Sequence, residues 1–115
     1  PPRGRGEGRF GAARGVNRTA VRWSAEAERN LIDITTHIAQ ESPVRALAFA
    51  RRLLLKVERL GAFPESGRKV PELADLKDPP REVLVGDYRV LYRVSDKSVE
   101  IAAVVHGRRL LPPLE

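Results

Sequence analysis

Residues 81–109 read REVLVGDYRVLYRVSDKSVEIAAVVHGRR, and this stretch decides the fold. Apolar and charged residues alternate along it, which is the signature of strands with one buried face. Three strands are predicted, over about 82–85, 88–94 and 99–106. Gly86-Asp87 supplies a two-residue hairpin turn, because glycine tolerates positive φ at the first central position. Ser95-Asp96-Lys97-Ser98 makes the second turn. The stretch closes on His106, Gly107, Arg108 and Arg109, so a largely basic sheet ends in a cluster suited to an acidic partner.

Upstream, the periodicity changes from two to that of helices. Ser24 reads as an N-cap with Glu26 and Glu28 in the first turn, where carboxylates suit the helix dipole. Ala27, Leu31, Ile34 and Ile38 then form one apolar stripe. Ser42-Pro43 is a second start, a cap followed by proline at the first helical position. Ala46, Ala50, Leu53, Val57 and Leu60 make its stripe, flanked by Phe49 and Leu54, and Gly61 reads as the C-cap. The few residues between the two segments allow only an antiparallel helical hairpin. Residues 20–23, AVRW, read as a short strand before the helices. Pro64, Gly67, Pro71, Pro79 and Pro80 mark residues 62–80 as a loop crossing to the sheet. The fold class is α+β: a short strand, a two-helix hairpin and a three-stranded antiparallel meander.

Composition narrows the function. At 115 residues the chain has room for one domain with a modest core. With no cysteine there is neither a disulfide framework nor thiolate chemistry, and a reducing cytoplasm is the expected location. No window approaches the ~20 apolar residues of a membrane span, and no secretory core is visible near the start. The formal charge of +6 is unevenly placed: Arg3, Arg5, Arg9, Arg14 and Arg18 stand against Glu7 in residues 1–19, whereas the rest holds 16 basic and 14 acidic residues. Residues 1–19 thus read as a basic arm without fixed structure or as upstream sequence, with a start at Val16. Leu114-Glu115 reads as a cloning remnant. A basic-armed nucleic-acid-binding module would rest on that arm alone.

Strand parity predicts what the sheet displays. Tyr88, Val90, Tyr92 and Val94 share one face and leave Arg89, Leu91 and Arg93 on the other. Val99, Ile101, Ala103 and Val105 share a face and leave Glu100, Ala102, Val104 and His106. Packing both apolar sets under the helices would expose Leu91, Ala102 and Val104, ringed by Arg89, Arg93 and His106. The last strand is apolar on both sides, as a central strand covered on both faces would be. A partner is expected to cover that second face. His106 reads first as a hydrogen-bonded structural residue and second as a general acid or base. His37 stands alone in its helix, and two unclustered histidines make no metal site. No cofactor is implied, since Gly61 and Gly67 lack the ending of a phosphate loop.

In combination these pieces resemble the RelE/ParE superfamily of toxins from bacterial type II toxin–antitoxin pairs. The matching residues are Ala27, Leu31, Ile34 and Ile38; Ala46 and Phe49; the loop Phe63-Pro64-Glu65-Ser66-Gly67-Arg68; Arg81; the block from Tyr88 to Val94; and the closing His106-Gly107-Arg108-Arg109. They cover residues 20–113. The resemblance implies a small toxin whose sheet cradles part of an antitoxin, here through Arg89, Leu91, Arg93, Ala102 and Val104. RelE-like members cut mRNA on the ribosome, whereas ParE-like members poison DNA gyrase without covalent chemistry. RelE-like toxins carry a basic residue on the strand before the hairpin turn and a tyrosine near the C-terminus. Here Glu82-Val83-Leu84-Val85 follows Arg81, and Leu110-Leu111-Pro112-Pro113 follows Arg109. The pattern is thus more similar to ParE, with Arg81, His106, Arg108 and Arg109 as target contacts and no catalytic residue. The rival is a ribosome-dependent endoribonuclease using His106, Arg108 and Arg109. The ParE resemblance also implies a ParD-like antitoxin with a DNA-binding N-terminal domain, bound in a hetero-oligomer.

Overall fold

The structure, a computed structural model, describes residues 19–109 and residue 111. The basic segment 1–18, with Val16, and Leu114-Glu115 lie outside the described residues. In chain order the elements are β1 (Ala20–Trp23), α1 (Ala25–Glu41), α2 (Pro43–Arg59), β2 (Arg68–Lys69), a 3₁₀ turn (Pro71–Leu73), β3 (Arg81–Val85), β4 (Tyr88–Val94) and β5 (Ser98–His106). The strands form one sheet in the order β1-β5-β4-β3-β2. The meander β3-β4-β5 is antiparallel, as predicted, and β1 adds in parallel to β5. The sheet is therefore mixed, with β5 in its interior.

The helices begin and end where their caps place them. Ser24 Oγ accepts the N–H of Ala27 at 3.0 Å. Ser42 alone joins the helices: its N–H closes α1 on the Ile38 carbonyl, and its Oγ accepts the Arg45 N–H at 3.1 Å to open α2. A one-residue link leaves the hairpin no freedom to separate. Gly61 departs from expectation, since α2 ends on Leu60 in a right-handed conformation. Gly61 is instead a point of close approach, where a Cβ would stand 3.0 Å from the Thr19 carbonyl oxygen. Gly86 does have positive φ, +58°, as its turn requires.

The hairpin buries Ala27, Leu53, Val57 and Leu60 against Val85, Val90, Tyr92, Val99, Ile101 and Val104 of the sheet. Val104 corrects the parity reading. A register shift between Leu91 and Tyr92 leaves Ala102 as an extra residue on β5, so Tyr92 faces Ile101 but Leu91 faces Ala103. Beyond this bulge Val104 and His106 share the helix side with Val90 and Tyr88, while Ala103 and Val105 turn to the outer face. The bulge lies where β1 runs out and α1 takes over the edge of β5. Ser24 Oγ donates to the Ala102 carbonyl at 2.9 Å, and Asn30 Oδ1 accepts the Val104 N–H at 2.9 Å.

The outer face is not left open either. Val70, Leu73 and Leu76, from the segment read as a crossing loop, lie with Leu111 over Leu91, Ala103 and Val105. The chain itself thus supplies the second cover that a partner was expected to provide. Tyr92 anchors the approach to this segment: its hydroxyl donates to the Pro64 carbonyl at 2.8 Å and accepts the Gly67 N–H at 2.9 Å. Burial pushes the Tyr92 phenol pKa up, against the lowering effect of the Gly67 hydrogen bond. Gly67 is required there, because a Cβ would meet the Glu82 carbonyl oxygen at 2.5 Å.

Candidate functional site

The predicted contact residues divide between three places. At the Gly86-Asp87 end of the sheet, the Gly107 N–H donates to the Asp87 carbonyl at 2.7 Å, pinning the exit of β5 to the β3–β4 turn. The chain then folds on itself, with the Arg109 N–H on the His106 carbonyl at 3.0 Å and the Arg108 N–H on His106 Nδ1 at 3.1 Å. An Nδ1 that accepts leaves Nε2 as the imidazole nitrogen available to a partner. The ring stands edge-on to Tyr88 at 5.4 Å, and Tyr88 to Phe49 at 5.3 Å. His106 and Arg108 border an open cleft of about 480 Å³ together with Arg68, Leu84, Asp87 and Arg89. Its rim is cationic, with Asp87 as the acidic member.

Arg81 does not join them. It lies opposite Tyr92, whereas His106 lies opposite Tyr88. Four residues of strand separate the two, about 13 Å at ~3.3 Å per residue. Its Nη1 donates to the Gly67 carbonyl at 2.7 Å and to that of Glu65 at 3.4 Å, so Arg81 fastens the 65–67 loop.

The third place is the outer face, where the predicted antitoxin patch does not form as drawn. Val104 is 2% exposed on the helix side, Leu91 is covered, and Ala102 is half-buried at the bulge. Arg93 remains accessible beside the Asp78 carbonyl, to which its Nη1 donates at 2.8 Å. Arg89 is a buried hub. Its Nη1 and Nη2 grip Glu72 Oε2 and Oε1 at 2.9 and 3.1 Å. Its Nε lies 2.8 Å from Glu82 Oε1, in ionic contact although the N–H points off the line between them. Glu82 Oε2 in turn accepts from Arg68 Nε at 2.7 Å. Arg89 Nη1 also reaches the Arg109 carbonyl, and Glu72 Oε2 the Leu111 N–H, each at 3.3 Å.

Charge pairing sets the protonation of this network. Hydrogen bonding from Arg89 is the main cause that holds the Glu72 carboxyl down at about 2, and bonding to Glu72 chiefly raises the Arg89 guanidinium. Sequence reasoning missed Glu72, Glu82, Asn30 and a site role for Arg68. The Glu82–Arg89 contact crosses the β3–β4 hairpin and the other hydrogen-bonded partners are 14 to 74 positions away along the chain, and alternation within one strand carries no signal for such pairs. Among the described residues no group of three or more His, Cys, Asp or Glu could hold a metal ion, and no helix is long and apolar enough to cross a membrane.

Residues 21–111 match the family described as the ParE toxin of the type II toxin–antitoxin system parDE. Y4kP of Sinorhizobium fredii (strain NBRC 101917 / NGR234), a candidate toxin by name, is 31% identical over 99 residues, spanning 84% of this chain and 97% of that protein. In solved structures, a chain of the chromosomal ParDE TA system from P. aeruginosa shares the fold with a TM-score of 0.64 at 18% identity, over 78% of this chain and 97% of that one. A chain of the toxin–antitoxin complex RelBE2 from Mycobacterium tuberculosis does so with a TM-score of 0.50 at 24% identity, over 77% and 91% of the two chains.

Proposed function

This chain belongs to the ParE toxin family of type II toxin–antitoxin systems, and from that premise we propose that it arrests bacterial growth by binding and poisoning DNA gyrase. A cognate, ParD-like antitoxin neutralises it in a toxin–antitoxin hetero-oligomer. The observation that carries the binding mode is the cleft at the Gly86-Asp87 end of the sheet, where His106 stands with Arg108. Arg108 and Arg109 are exposed there on a turn pinned to the β3–β4 hairpin, so they meet a target at fixed positions. Arg81 serves the fold and is left out of the contact.

Cleaving RNA would need a base for the ribose 2′-hydroxyl, an acid for the leaving oxygen and cations for the phosphorane. In this cleft Arg68 is already paired with Glu82 and Arg89 with Glu72. Both cations are thus committed to the fold and neither is placed to stabilise a phosphorane, which leaves His106 and Arg108 as the groups the cleft would offer an RNA substrate. The deciding experiment is expression of the toxin without antitoxin, followed by assays on purified gyrase and on translating ribosomes. Induction of the DNA-damage response and gyrase inhibition are the expected results. Translation arrest with ribosome-dependent mRNA cleavage, and no effect on gyrase, would replace this reading with that of an endoribonuclease.

A further inference from the structure

The side of the helical hairpin that faces away from the sheet has no cover among the described residues. Ile32 on α1 and Val44, Leu47, Leu54 and Leu55 on α2 stand exposed there, at between 48% and 78%. Leu53 and Val57 turn α2 onto the sheet, while Arg52 lines a cleft with Gly86 and Tyr88, and Lys56 and Arg59 line one with Val83. Arg52, Lys56 and Arg59 thus occupy the flank toward β3, and helical spacing puts Leu47 and Leu54 on the flank toward α1. Apolar side chains therefore gather on the outer side of the seam between the two helices.

Charge is divided between the two helices. α1 carries four carboxylates and one arginine, and α2 carries five cations and one carboxylate. An anionic membrane or a nucleic acid would be repelled over α1, and a basic partner over α2. A second copy suits both. A two-fold axis parallel to the helices lays α1 of each copy antiparallel over α2 of the other, as neighbours run in an up-down four-helix bundle. Since Ser42 alone joins the helices, residues whose numbers sum to about 84, twice 42, lie level. The cleft that Ile38 shares with Arg45, and His37 with Ala48, agrees with that register. The rotation keeps the level between copies. Arg51 then comes over the partner's Asp33, where 51 + 33 = 84, and Leu54 comes within two positions of the partner's Ile32. Among the described residues neither Arg51 nor Asp33 is in a salt bridge, so both are available. The face is also large enough. Two helices of 17 residues, at about 1.5 Å rise and about 10 Å apart, present roughly 25 by 20 Å in projection, on the scale of the ~800 Å² per partner of a stable interface.

We propose that two copies of this chain associate through the outer faces of their hairpins, about a two-fold axis parallel to the helices. Ile32, Leu47 and Leu54 of each copy meet at the centre, and Arg51 of each pairs with the partner's Asp33. The apolar residues supply the affinity and the acidic-on-basic match sets the register. The cleft holding His106 and Arg108 is lined by no residue of either helix, so both copies keep it open. The pairing does not depend on which target the toxin binds.

The test uses the full chain freed of antitoxin, with association followed by sedimentation velocity over a concentration series. Wild type should form a dimer that weakens with added salt, as an interface with an exposed ion pair does. Leu47→Glu with Leu54→Glu should raise the dissociation constant by at least about tenfold, the scale of lost anchors. Arg51→Asp and Asp33→Arg should each weaken the dimer by about tenfold, by setting like charges together. The double variant Arg51→Asp with Asp33→Arg should return to within about threefold of wild type, because the swap restores the pair in both halves. Phe63→Glu, exposed outside the helices, should leave the constant within about twofold. Thermal unfolding of each variant checks the fold, and every substituted side chain is exposed. A wild type that is monomeric at every concentration would overturn the pairing, and loss of antitoxin binding in Leu47→Glu with Leu54→Glu would then assign the face to the antitoxin. A dimer untouched by the Leu47/Leu54 variant would put the contact elsewhere on the molecule. A double charge variant as weak as the single ones would reject a two-fold axis parallel to the helices.

Discussion

Arg89 holds Glu72 in a two-pronged grip, Nη1 to Oε2 at 2.9 Å and Nη2 to Oε1 at 3.1 Å. The planar fork of arginine matches a carboxylate in this way, and lysine could not reproduce it. The pair joins the middle of the sheet to the segment that covers it, and through the Arg109 carbonyl and the Leu111 N–H it also fastens the chain after β5. A charge on a solvated strand position would have cost nothing to remove. This one is 7% exposed at its side chain and balances two carboxylates.

Arg89→Ala should therefore be strongly destabilising. It leaves Glu82, whose side chain is fully buried, with Arg68 as its remaining partner. Removing one member of a buried ion pair costs about 3–5 kcal/mol, chiefly because the other charge stays buried. Equilibrium urea unfolding should show a loss of that order. Arg89→Lys should recover only part of it, since a single ammonium cannot serve Glu72 with two parallel bonds. A loss under about 1 kcal/mol for Arg89→Ala would show that the outer cover is held by its apolar contacts alone.

The same pair predicts an acid-sensitive stability. The Glu72 carboxyl titrates at about 2 in the folded chain against an ordinary 4.5, so folding favours its ionised form. A depressed folded value means that the stabilisation is fully present above 4.5 and is lost as the pH falls through 4.5 toward 2. Melting temperatures followed down this range should fall less steeply for Glu72→Gln than for wild type, the variant having surrendered the ionic contribution beforehand. Parallel curves for the two proteins would place the acid sensitivity in other carboxylates.

Val104 shows where sequence reading stopped. The residues Ile101-Ala102-Ala103-Val104-Val105 are apolar on both parities, so the pattern fits either face and does not specify register. The bulge at Ala102 settles it, and that bulge depends on Ser24 and Asn30, more than 70 residues earlier in the chain. By contrast, helix starts, the Gly86 turn, the meander and the interior place of β5 depend on local signals, and these were legible. The cover over the outer face was not, because Val70, Leu73 and Leu76 are spaced among prolines in a segment without strand or helix periodicity. The structure consequently reverses one expectation: Val104→Asp should unfold the protein, whereas Leu84→Asp should change stability by roughly 0.5 kcal/mol or less. Circular dichroism and urea titration of the two variants would check the contrast. A folded, native-like Val104→Asp would mean that the register without the bulge is the true one.

The last expectation concerns toxicity. His106 spends Nδ1 on the Arg108 N–H and packs edge-on to Tyr88, so it orders the turn that displays the two arginines. Glutamine can keep an acceptor for that N–H, although it gives up the ring contact. A general acid or base contributes about 10²–10⁴-fold in rate, so a toxin that used His106 in this way would be nearly silenced by its removal. For a toxin that binds its target, charge on the displayed turn matters more, because close charge pairs set both encounter and residence. His106→Gln should thus retain substantial growth inhibition, and Arg108→Ala with Arg109→Ala should lose most of it, with both variants folded by circular dichroism. Growth curves after induction, paired with supercoiling assays on purified gyrase, measure the two effects on one scale. Full loss with His106→Gln and little change with the double arginine variant would put acid–base chemistry at the centre of the site, and the turn would then be a catalytic element rather than a docking one.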